Sequence, residues 1–267
     1  MPAVTKLQTI NAWVEDGVGV VQLNYPEKRN TLGWQIHKDI LFVLDQYKDD
    51  KEVACVLLYG NEKYFSSGWA LDVLESTSGN DRQAFSDIAL KLMITIYDYP
   101  KPTIAAVAGF CPGYGMDVVN FSDITIASRN ASFGASQVKY GLNPMMHPMY
   151  RKMFHQRAKR LIFTGDPMGV EEAYRVGLVD EIAPEGQLFE VAMRLAKQIA
   201  ERGSELAVNL KEVALRVANM DHVGSVYYET RFTNDLLARP LFAKLAKEGL
   251  ERIKAKRPKA TERLGKL

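Results

Sequence analysis

Residues 101–117 read KPTIAAVAGFCPGYGMD. The pattern is an apolar segment, then a glycine-rich turn, then residues typical of the start of a helix. Prolines on both sides of Lys101 end the preceding helical pattern, so Thr103–Val107 is predicted to be a strand. Its unbroken run of apolar and small residues is typical of a strand buried on both faces of a sheet. Glycines at 109, 113 and 115 leave the main chain of the turn accessible to a ligand.

A second stretch with the same order lies earlier in the chain. Val53–Tyr59 is a continuous apolar run that ends at Gly60, and the turn FSSGWALD follows at residues 65–72. Open α/β proteins bind ligands at the carboxyl ends of their strands, and a helix that begins there adds unpaired backbone N–H donors. The two turns together therefore form the candidate functional site.

The first part of the chain repeats strand, turn and helix. A hairpin is predicted from Ala12–Val14 and Val18–Leu23, which lie on either side of the turn Asp16-Gly17. The other predicted elements are helices at 32–47, 84–97 and 114–121 and a strand at 123–127. This alternation indicates α/β architecture.

From Pro148 onward the sequence is almost entirely helical, apart from a short strand predicted at 178–182. We therefore predict a core of residues 1–200 and a helical oligomerisation region of residues 201–267. The apolar stripes of the last helices are packing surfaces and, by inference, subunit contacts. The predicted helices are residues 149–163, 170–176, 187–202, 205–220, 222–237 and 241–256.

The 267-residue chain has the composition of a globular protein, with 47% hydrophobic and 25% charged residues. No apolar run is long enough for a membrane span, and the N-terminal residues lack the pattern of a secretion signal. A net charge of +2 provides no general attraction for nucleic acid. Cys55 and Cys111 lie in apolar segments and are predicted to be buried thiols. We therefore expect a cytoplasmic protein that binds neither membranes nor nucleic acid.

Several ordered motifs resemble those of one family. They are VVQLN at 20–24, NTL at 30–32, VLLYG at 56–60, FSSG at 65–68, KPTIAAVAG at 101–109, SDI at 122–124, ASFG at 131–134 and LIFTG at 161–165. From Trp13 to the C-terminus the chain resembles the crotonase, or enoyl-CoA hydratase/isomerase, superfamily. The resemblance implies a spiral of ββα units with a C-terminal helical trimerisation region. It also implies an acyl-CoA substrate without a further cofactor, and a homo-oligomer that is a trimer or a hexamer of two trimers.

In this family the thioester carbonyl oxygen accepts hydrogen bonds from two backbone N–H groups, an arrangement called an oxyanion hole. At the matching positions, these donors are Trp69 and Tyr114. Small residues are common at both positions in the family, and glycine is usual at the second. Because the main chain is the donor, we expect the bulky side chains to reshape the acyl pocket rather than to abolish the oxyanion hole. Losing one such donor typically lowers the rate about a hundredfold.

The family's hydratases have glutamates at two positions that correspond here to Asp117 and Gln137. Asp117 keeps a carboxylate for proton transfer, whereas Gln137 can only donate or accept hydrogen bonds. A third position is acidic in some family isomerases and in an aroyl-CoA dehalogenase, and it corresponds to Met145, which cannot act as a base. Tyr140 and His147 lie close by in the sequence and are candidates to supplement Asp117.

Substrate binding is predicted to extend beyond these groups. The resemblance places the adenine of coenzyme A near Lys28, Arg29 and the segment 66–68. Both cations are candidate phosphate partners, together with Lys256 or Lys259 from the basic tail of a neighbouring chain; the alternative is that all four are solvated charges. The other predicted substrate-binding residues are Ser66, Gly68, Ala70, Gly113, Tyr140, Met145 and His147.

Large apolar and aromatic side chains cluster around the aligned site in the sequence. One interpretation is that they are core residues, and the other is a wide apolar pocket for a cyclic or aromatic acyl group. The residues are Trp69, Tyr114, Tyr140, Met145 and Met146.

The leading prediction is a lyase that hydrates or dehydrates an enoyl-CoA, with Asp117 moving the proton and Gln137 placing the water. A double-bond isomerase needs one base and also fits a single carboxylate. Hydrolysis of a carbon–carbon bond in a β-diketone or ring ketone would use the same oxyanion hole, with His147 activating water. The non-enzymatic alternative is a degenerate coenzyme A-binding protein, because Gln137 and Met145 replace acids. No metal is expected, since His147 and His155 are not spaced as zinc ligands on a helix.

Overall fold

The computed structural model describes residues 3–256. The strands are β1 (Thr5–Lys6), β2 (Ile10–Glu15), β3 (Val18–Leu23), β4 (Cys55–Tyr59), β5 (Thr103–Val107), β6 (Phe110–Pro112), β7 (Ile124–Ser128), β8 (Ser132–Gly134), β9 (Met168–Gly169) and β10 (Glu181–Ala183). The larger sheet has the order β1-β2-β3-β4-β5-β7-β10, and the smaller sheet has the order β6-β8-β9. The hairpin predicted at the start of the chain is confirmed, because β2 and β3 pair antiparallel with Trp13 opposite Val20.

The helices are α1 (Trp34–Asp49), α2 (Leu71–Ser76), α3 (Gly79–Tyr97), α4 (Tyr114–Phe121), α5 (Met146–Lys152), α6 (His155–Thr164), α7 (Val170–Val176), α8 (Leu188–Ala200), α9 (Ser204–Val217), α10 (His222–Leu237) and α11 (Pro240–Lys256). The order β5, β6, α4 is one ββα unit, in which the first strand joins the larger sheet and the second joins the smaller sheet. The predicted spiral α/β fold is therefore confirmed.

The centre of the larger sheet is buried on both faces, as its apolar sequence predicts. Every residue of β4 and β5 is buried, and β3, β4, β5 and β7 run parallel. Successive side chains of a strand point to opposite faces. Accordingly, Leu58 belongs to the apolar cluster that contains Ile40 of α1 and Leu92 of α3, whereas Leu57 belongs to the cluster formed with α8. The parallel strands bring the segments that follow β4 and β5 to the same edge.

Two predicted elements differ in the structure. The single helix predicted at 149–163 is wrong, because the chain is extended at Met153 between α5 and α6. The break brings Met153 into the core, while Lys152 Nζ donates to the carbonyl oxygen of Val119 at 3.0 Å. The strand predicted at 178–182 is confined to β10, since Val179 bonds to the carbonyl of Ala173 in the turn after α7.

The chain divides into two compact units, and the boundary lies inside α9 between Lys211 and Glu212. The first unit contains both sheets, and the second contains α10 and α11. The predicted boundary at residue 200 and the oligomerisation role of the helical region both stay predictions. Both cysteines are free and buried, and no described helix is long and apolar enough to cross a membrane.

Candidate active site

Two loops at the carboxyl ends of β4 and β5 approach each other closely. Gly68, in the first loop, has a φ of +87°, and a Cβ atom placed on it would lie 2.8 Å from the carbonyl oxygen of Pro112 in the second loop. A Cβ atom on Gly115 would lie 3.3 Å from the carbonyl oxygen of Ser66. Glycine is required at Gly68 by both its backbone conformation and this contact. The two glycines thus allow the main chains of the loops to lie side by side.

Each loop presents one backbone N–H group that has no acceptor in the described part of the chain. Gly113, with a φ of 54°, precedes the first residue of α4, and its own N–H donates to Gly134 at 2.7 Å. Trp69 lies in an isolated bridge in which Leu32 donates to the Gly68 carbonyl at 2.8 Å. Within residues 3–256, neither the Trp69 N–H nor the Tyr114 N–H donates a hydrogen bond. Both groups are available to a ligand oxygen.

A cavity of 280 Å³ adjoins these two donors. It is lined mainly by apolar and aromatic residues, which is typical of a small-molecule site. Of the residues predicted from the sequence, it contains Gly68, Trp69, Gly113, Tyr114, Gln137 and Tyr140. The other lining residues are Ser67, Leu71, Leu74, Phe110, Pro112, Ser136, Lys139 and Leu142.

Asp117 lies one hydrogen bond behind the cavity wall. It stands on α4 with 3% of its surface exposed, and the Gln137 amide, which lines the cavity, donates from Nε2 to Asp117 Oδ2 at 2.6 Å. Burial raises the pKa of Asp117 to about 7, against the opposing effects of the Met145 N–H and the Gln137 amide. A carboxyl group with this pKa can both accept and release a proton near neutral pH.

The same pair has unused hydrogen-bonding capacity. Asp117 Oδ1 and Gln137 Oε1 are both buried, and neither has a hydrogen-bond partner among the described residues. Buried polar atoms of this kind are uncommon, and a bound water or ligand usually satisfies them. Two acceptors so close to one cavity suit a molecule that donates protons, such as water.

The predicted coenzyme A residues lie around the first loop. The Ser66 hydroxyl donates to the backbone carbonyl oxygen of Asn30 at 2.7 Å and accepts from the Gly68 N–H at 3.1 Å. These two bonds fix the loop. The carbonyl oxygen of Arg29 accepts from Ser67 at 3.1 Å. Lys28 pairs with Asp72 at 2.6 Å on the surface. Ala70 is buried, and its N–H donates to Leu32 at 3.2 Å. The structure therefore brings Lys28 and Arg29 beside the loop that contains Trp69.

The remaining predicted residues have different positions. Met145 is half-buried, and its backbone N–H lowers the pKa of the Asp117 carboxyl group, while its side chain cannot act as a base. His147 is exposed on α5 and does not line the cavity. Lys259 lies outside the described residues, and so does the side chain of Lys256. In the described part of the chain, no cluster of His, Cys, Asp or Glu is suited to hold a metal ion.

Sequence reasoning missed the aromatic packing behind the donors. The ring of Tyr114 lies 5.2 Å from that of Trp69 and 5.5 Å from that of His37. Phe85 of α3 packs against Trp69 at 5.9 Å and against His37 at 5.7 Å. His37 shares the apolar face of α1 with Ile40, and this helical spacing is the signal that would have predicted its burial. We refer to His37, Trp69, Phe85 and Tyr114 as the aromatic cluster.

The spiral fold, the two unpaired N–H groups and the cavity between them define a crotonase-like protein. Residues 14–261 match the family model described as enoyl-CoA hydratase/isomerase, and the chain belongs to this family. It is 32% identical over 205 residues to a short-chain-enoyl-CoA hydratase of Clostridium acetobutylicum, covering 75% of this chain and 78% of that protein. It is 31% identical over 206 residues to a hydroxycinnamoyl-CoA hydratase-lyase of Pseudomonas fluorescens, covering 73% and 74%.

A solved structure supports the same assignment. The crystal structure of human enoyl coenzyme A hydratase domain-containing protein 3 superposes with a TM-score of 0.85 at 28% identity. The match covers 94% of this chain and 99% of that chain. The fold predicted from the ordered motifs is confirmed over nearly the whole chain.

Proposed function

We propose that the protein hydrates an enoyl-CoA thioester, and catalyses the reverse dehydration, through an enolate held by the Trp69 and Tyr114 N–H groups. The observation that supports this most directly is the pair of unpaired backbone donors beside a buried carboxyl group with a pKa of about 7. Donors fixed before the reaction stabilise the negative charge that develops on the thioester oxygen. A nearby carboxylate then has to move only one proton.

In the proposed reaction, Asp117 accepts a proton from water while the water oxygen forms a bond to the β-carbon. The electron pair of the carbon–carbon double bond moves to the thioester, which becomes an enolate. Asp117 then returns its proton to the α-carbon, so that the elements of water are added and the carboxylate is regenerated. Gln137 binds the water through Oε1, which has no other partner among the described residues.

Asp117 must face the cavity for this reaction. Gln137 lies between the carboxylate and the cavity, and catalytic contacts often tighten only in the complex with substrate. We therefore propose that entry of the acyl group turns the Gln137 amide aside. The backbone around Asp117 stays fixed by the bond from its N–H to Gly113, at 3.0 Å.

Aromatic side chains in the cavity wall favour a cyclic or aromatic acyl group. Trp69, Phe110, Tyr114 and Tyr140 all line the cavity. The name of the Pseudomonas fluorescens relative denotes an aromatic acyl-CoA. Lys28 and Arg29 lie beside the same loop and are proposed to contact coenzyme A phosphates, with no separate cofactor.

The proposed assembly and location follow from other observations. Exposed apolar side chains on α10 and α11 support a homotrimer or a hexamer built through the second unit. A cytoplasmic location is supported by the two free, buried cysteines. The exposed apolar residues include Val223, Val226, Tyr227, Leu250 and Ile253.

Incubation with straight-chain, branched, cyclic and aromatic enoyl-CoA thioesters in deuterated water tests the reaction. Hydration predicts a product heavier by one heavy water, whose α-carbon has gained deuterium because Asp117 exchanges its proton with solvent. Mass spectrometry of the acyl product distinguishes this from the other chemistries. Carbon–carbon cleavage gives two smaller acids, and absence of both turnover and coenzyme A thioester binding would rule out an enzymatic role.

A double-bond isomerase is the second candidate, and it is favoured because Asp117 is the one carboxylate that the described residues place against the cavity lining, through Gln137. Asp117 would remove a proton from the γ-carbon and return it to the α-carbon, a task that needs one base and no water. In deuterated water this reaction changes the mass only by isotope exchange. Carbon–carbon hydrolysis has no comparable support, because His147 does not line the cavity.

The rate should depend on the ionisation of Asp117. As a general base, Asp117 must be ionised, so kcat/KM is expected to rise with pH through about 7, the pKa raised by burial. Gln137→Glu places a second carboxylate against Asp117, and like charges disfavour ionisation. The rise of kcat/KM with pH should therefore occur at higher pH in this variant than in the wild type. Initial rates across a pH series measure both profiles. A wild-type profile that is flat between about pH 5 and pH 8 would contradict the assigned base.

A further inference from the structure

The two residues whose N–H groups form the proposed oxyanion hole also pack their side chains on each other. The Trp69 and Tyr114 rings lie 5.2 Å apart with an interplanar angle of 33°. The indole Nε1 of Trp69 is buried and has no hydrogen-bond partner among the described residues. A buried N–H group without a partner costs free energy. The position of the Trp69 ring is therefore explained by its packing against Tyr114 and not by a hydrogen bond.

The phenol of Tyr114 is held at its far end. Its hydroxyl donates to the carbonyl oxygen of Ala89 in α3 at 2.7 Å, and His37 Nε2 lies 3.3 Å from the same hydroxyl. His37 Nδ1 lies 2.5 Å from the Gly33 carbonyl, which can only accept, so Nδ1 holds the ring proton. Burial lowers the pKa of His37 to about 4, and burial raises the pKa of Tyr114. Both groups are therefore neutral, and the Tyr114 hydroxyl faces two acceptors.

This anchoring bears on the direction of the catalytic donor. Tyr114 is the first residue of α4, and Gly113 before it has a φ of 54°, in a region open mainly to glycine. Glycine alone imposes little restraint on the peptide plane that contains the Tyr114 N–H. A side chain fixed at both ends restrains the Cα of Tyr114, and misplacement by about 1 Å is enough to cost roughly a hundredfold in rate.

We infer that Tyr114 is a positioning residue, whose side chain holds the Tyr114 N–H against the thioester oxygen by anchoring the phenol to Ala89 and to the Trp69 ring. The inference rests on the proposed function, because it requires that the two N–H groups bind the reacting carbonyl. It assigns a role to the bulky residue that stands where the family usually has glycine. A fixed donor direction stabilises the transition state more than it strengthens substrate binding.

Tyr114→Phe tests this inference, because it keeps the ring packing and removes the bond to Ala89. We expect kcat on the substrate identified for the wild type to fall about tenfold with KM nearly unchanged, as for an interaction worth most in the transition state. His37→Phe should keep kcat close to the wild-type value, because the hydroxyl proton is donated to Ala89 and the ring packing is retained. Tyr99→Phe is the matched control, since its buried hydroxyl donates to the Leu44 carbonyl at 2.6 Å, away from the cavity.

The outcomes separate the inference from the proposed function. A loss of kcat in Tyr114→Phe but not in Tyr99→Phe, at similar losses of thermal stability, supports the positioning role. Equal kcat values in the two variants, or a raised KM with unchanged kcat, overturn it while the wild type remains active. If the wild type itself turns over no enoyl-CoA, the proposed function fails, and the inference fails with it.

Discussion

Asp117→Asn is expected to lower kcat/KM about 10²- to 10⁴-fold, the range typical of removing a general acid or base. Asparagine has nearly the same shape as aspartate and can accept the hydrogen bond that Gln137 donates at 2.6 Å. It cannot accept and release a proton at neutral pH. Steady-state kinetics on the substrate identified by the mass experiment measures the loss. The pH limb near 7 should disappear with the carboxylate.

The same substitution is expected to stabilise the fold at alkaline pH. Burial raises the pKa of Asp117 from 3.8 to about 7, so the protonated carboxyl favours the folded state. This contribution is fully present below about pH 4 and is lost as the pH rises through 7. At about pH 8 the ionised Asp117 lowers the free energy of unfolding of the wild type by about 4 kcal/mol. Asparagine does not ionise and therefore lacks this cost. The free energy of unfolding should therefore be larger for the variant than for the wild type at pH 8. The difference between the two proteins should vanish towards pH 4.

Asp39→Asn is the matched control for both effects. Asp39 is also a buried carboxylate, but it accepts from the Thr9 N–H at 2.9 Å and from the Thr9 hydroxyl at 2.7 Å, away from the cavity. Its substitution should weaken these bonds and lower stability while kcat stays within about twofold. If Asp117→Asn kept wild-type kcat/KM, Asp117 would be a structural carboxyl group and the proposed base would be wrong.

The strands near the site were predictable because an unbroken local run of apolar residues indicates a buried strand. Thr103–Val107 has no polar side chain other than Thr103, and the structure confirms a strand with these bounds. The helix predicted at 149–163 failed for a tertiary reason. Lys152 and Met153 fit the helical pattern, but contacts with the carbonyl of Val119 and with the core end α5 there.

The site itself was predictable only in part. Trp69, Tyr114, Asp117 and Gln137 came from their positions in ordered motifs, and the structure brings all four to one place. The burial of Asp117 behind Gln137 depends on residues far apart in the chain, so no local sequence pattern indicates it. The same holds for the aromatic cluster, to which α1, α3, α4 and the loop after β4 each contribute one residue.

Gly68→Ala is expected to lower kcat by about 10²- to 10³-fold, the cost of losing one oxyanion donor. At a φ of +87° an alanine is strained, and its Cβ would lie 2.8 Å from the carbonyl oxygen of Pro112. Relief of this contact moves the two loops apart and turns the peptide between Gly68 and Trp69. The Trp69 N–H then no longer points at the position that the Tyr114 N–H also reaches. Steady-state kinetics and a thermal unfolding curve measure the two consequences.

Gly186→Ala separates backbone strain from loss of the donor. Gly186 has a φ of +77°, yet a Cβ atom there would meet nothing within 4 Å. This control should therefore share the conformational cost of about 1–2 kcal/mol but keep the wild-type kcat. A Gly68→Ala protein that is destabilised like the control and is still fully active would show that the Trp69 N–H does not bind the thioester oxygen. A folded, inactive Gly68→Ala protein beside an active Gly186→Ala protein would instead tie catalysis to the close approach of the two loops.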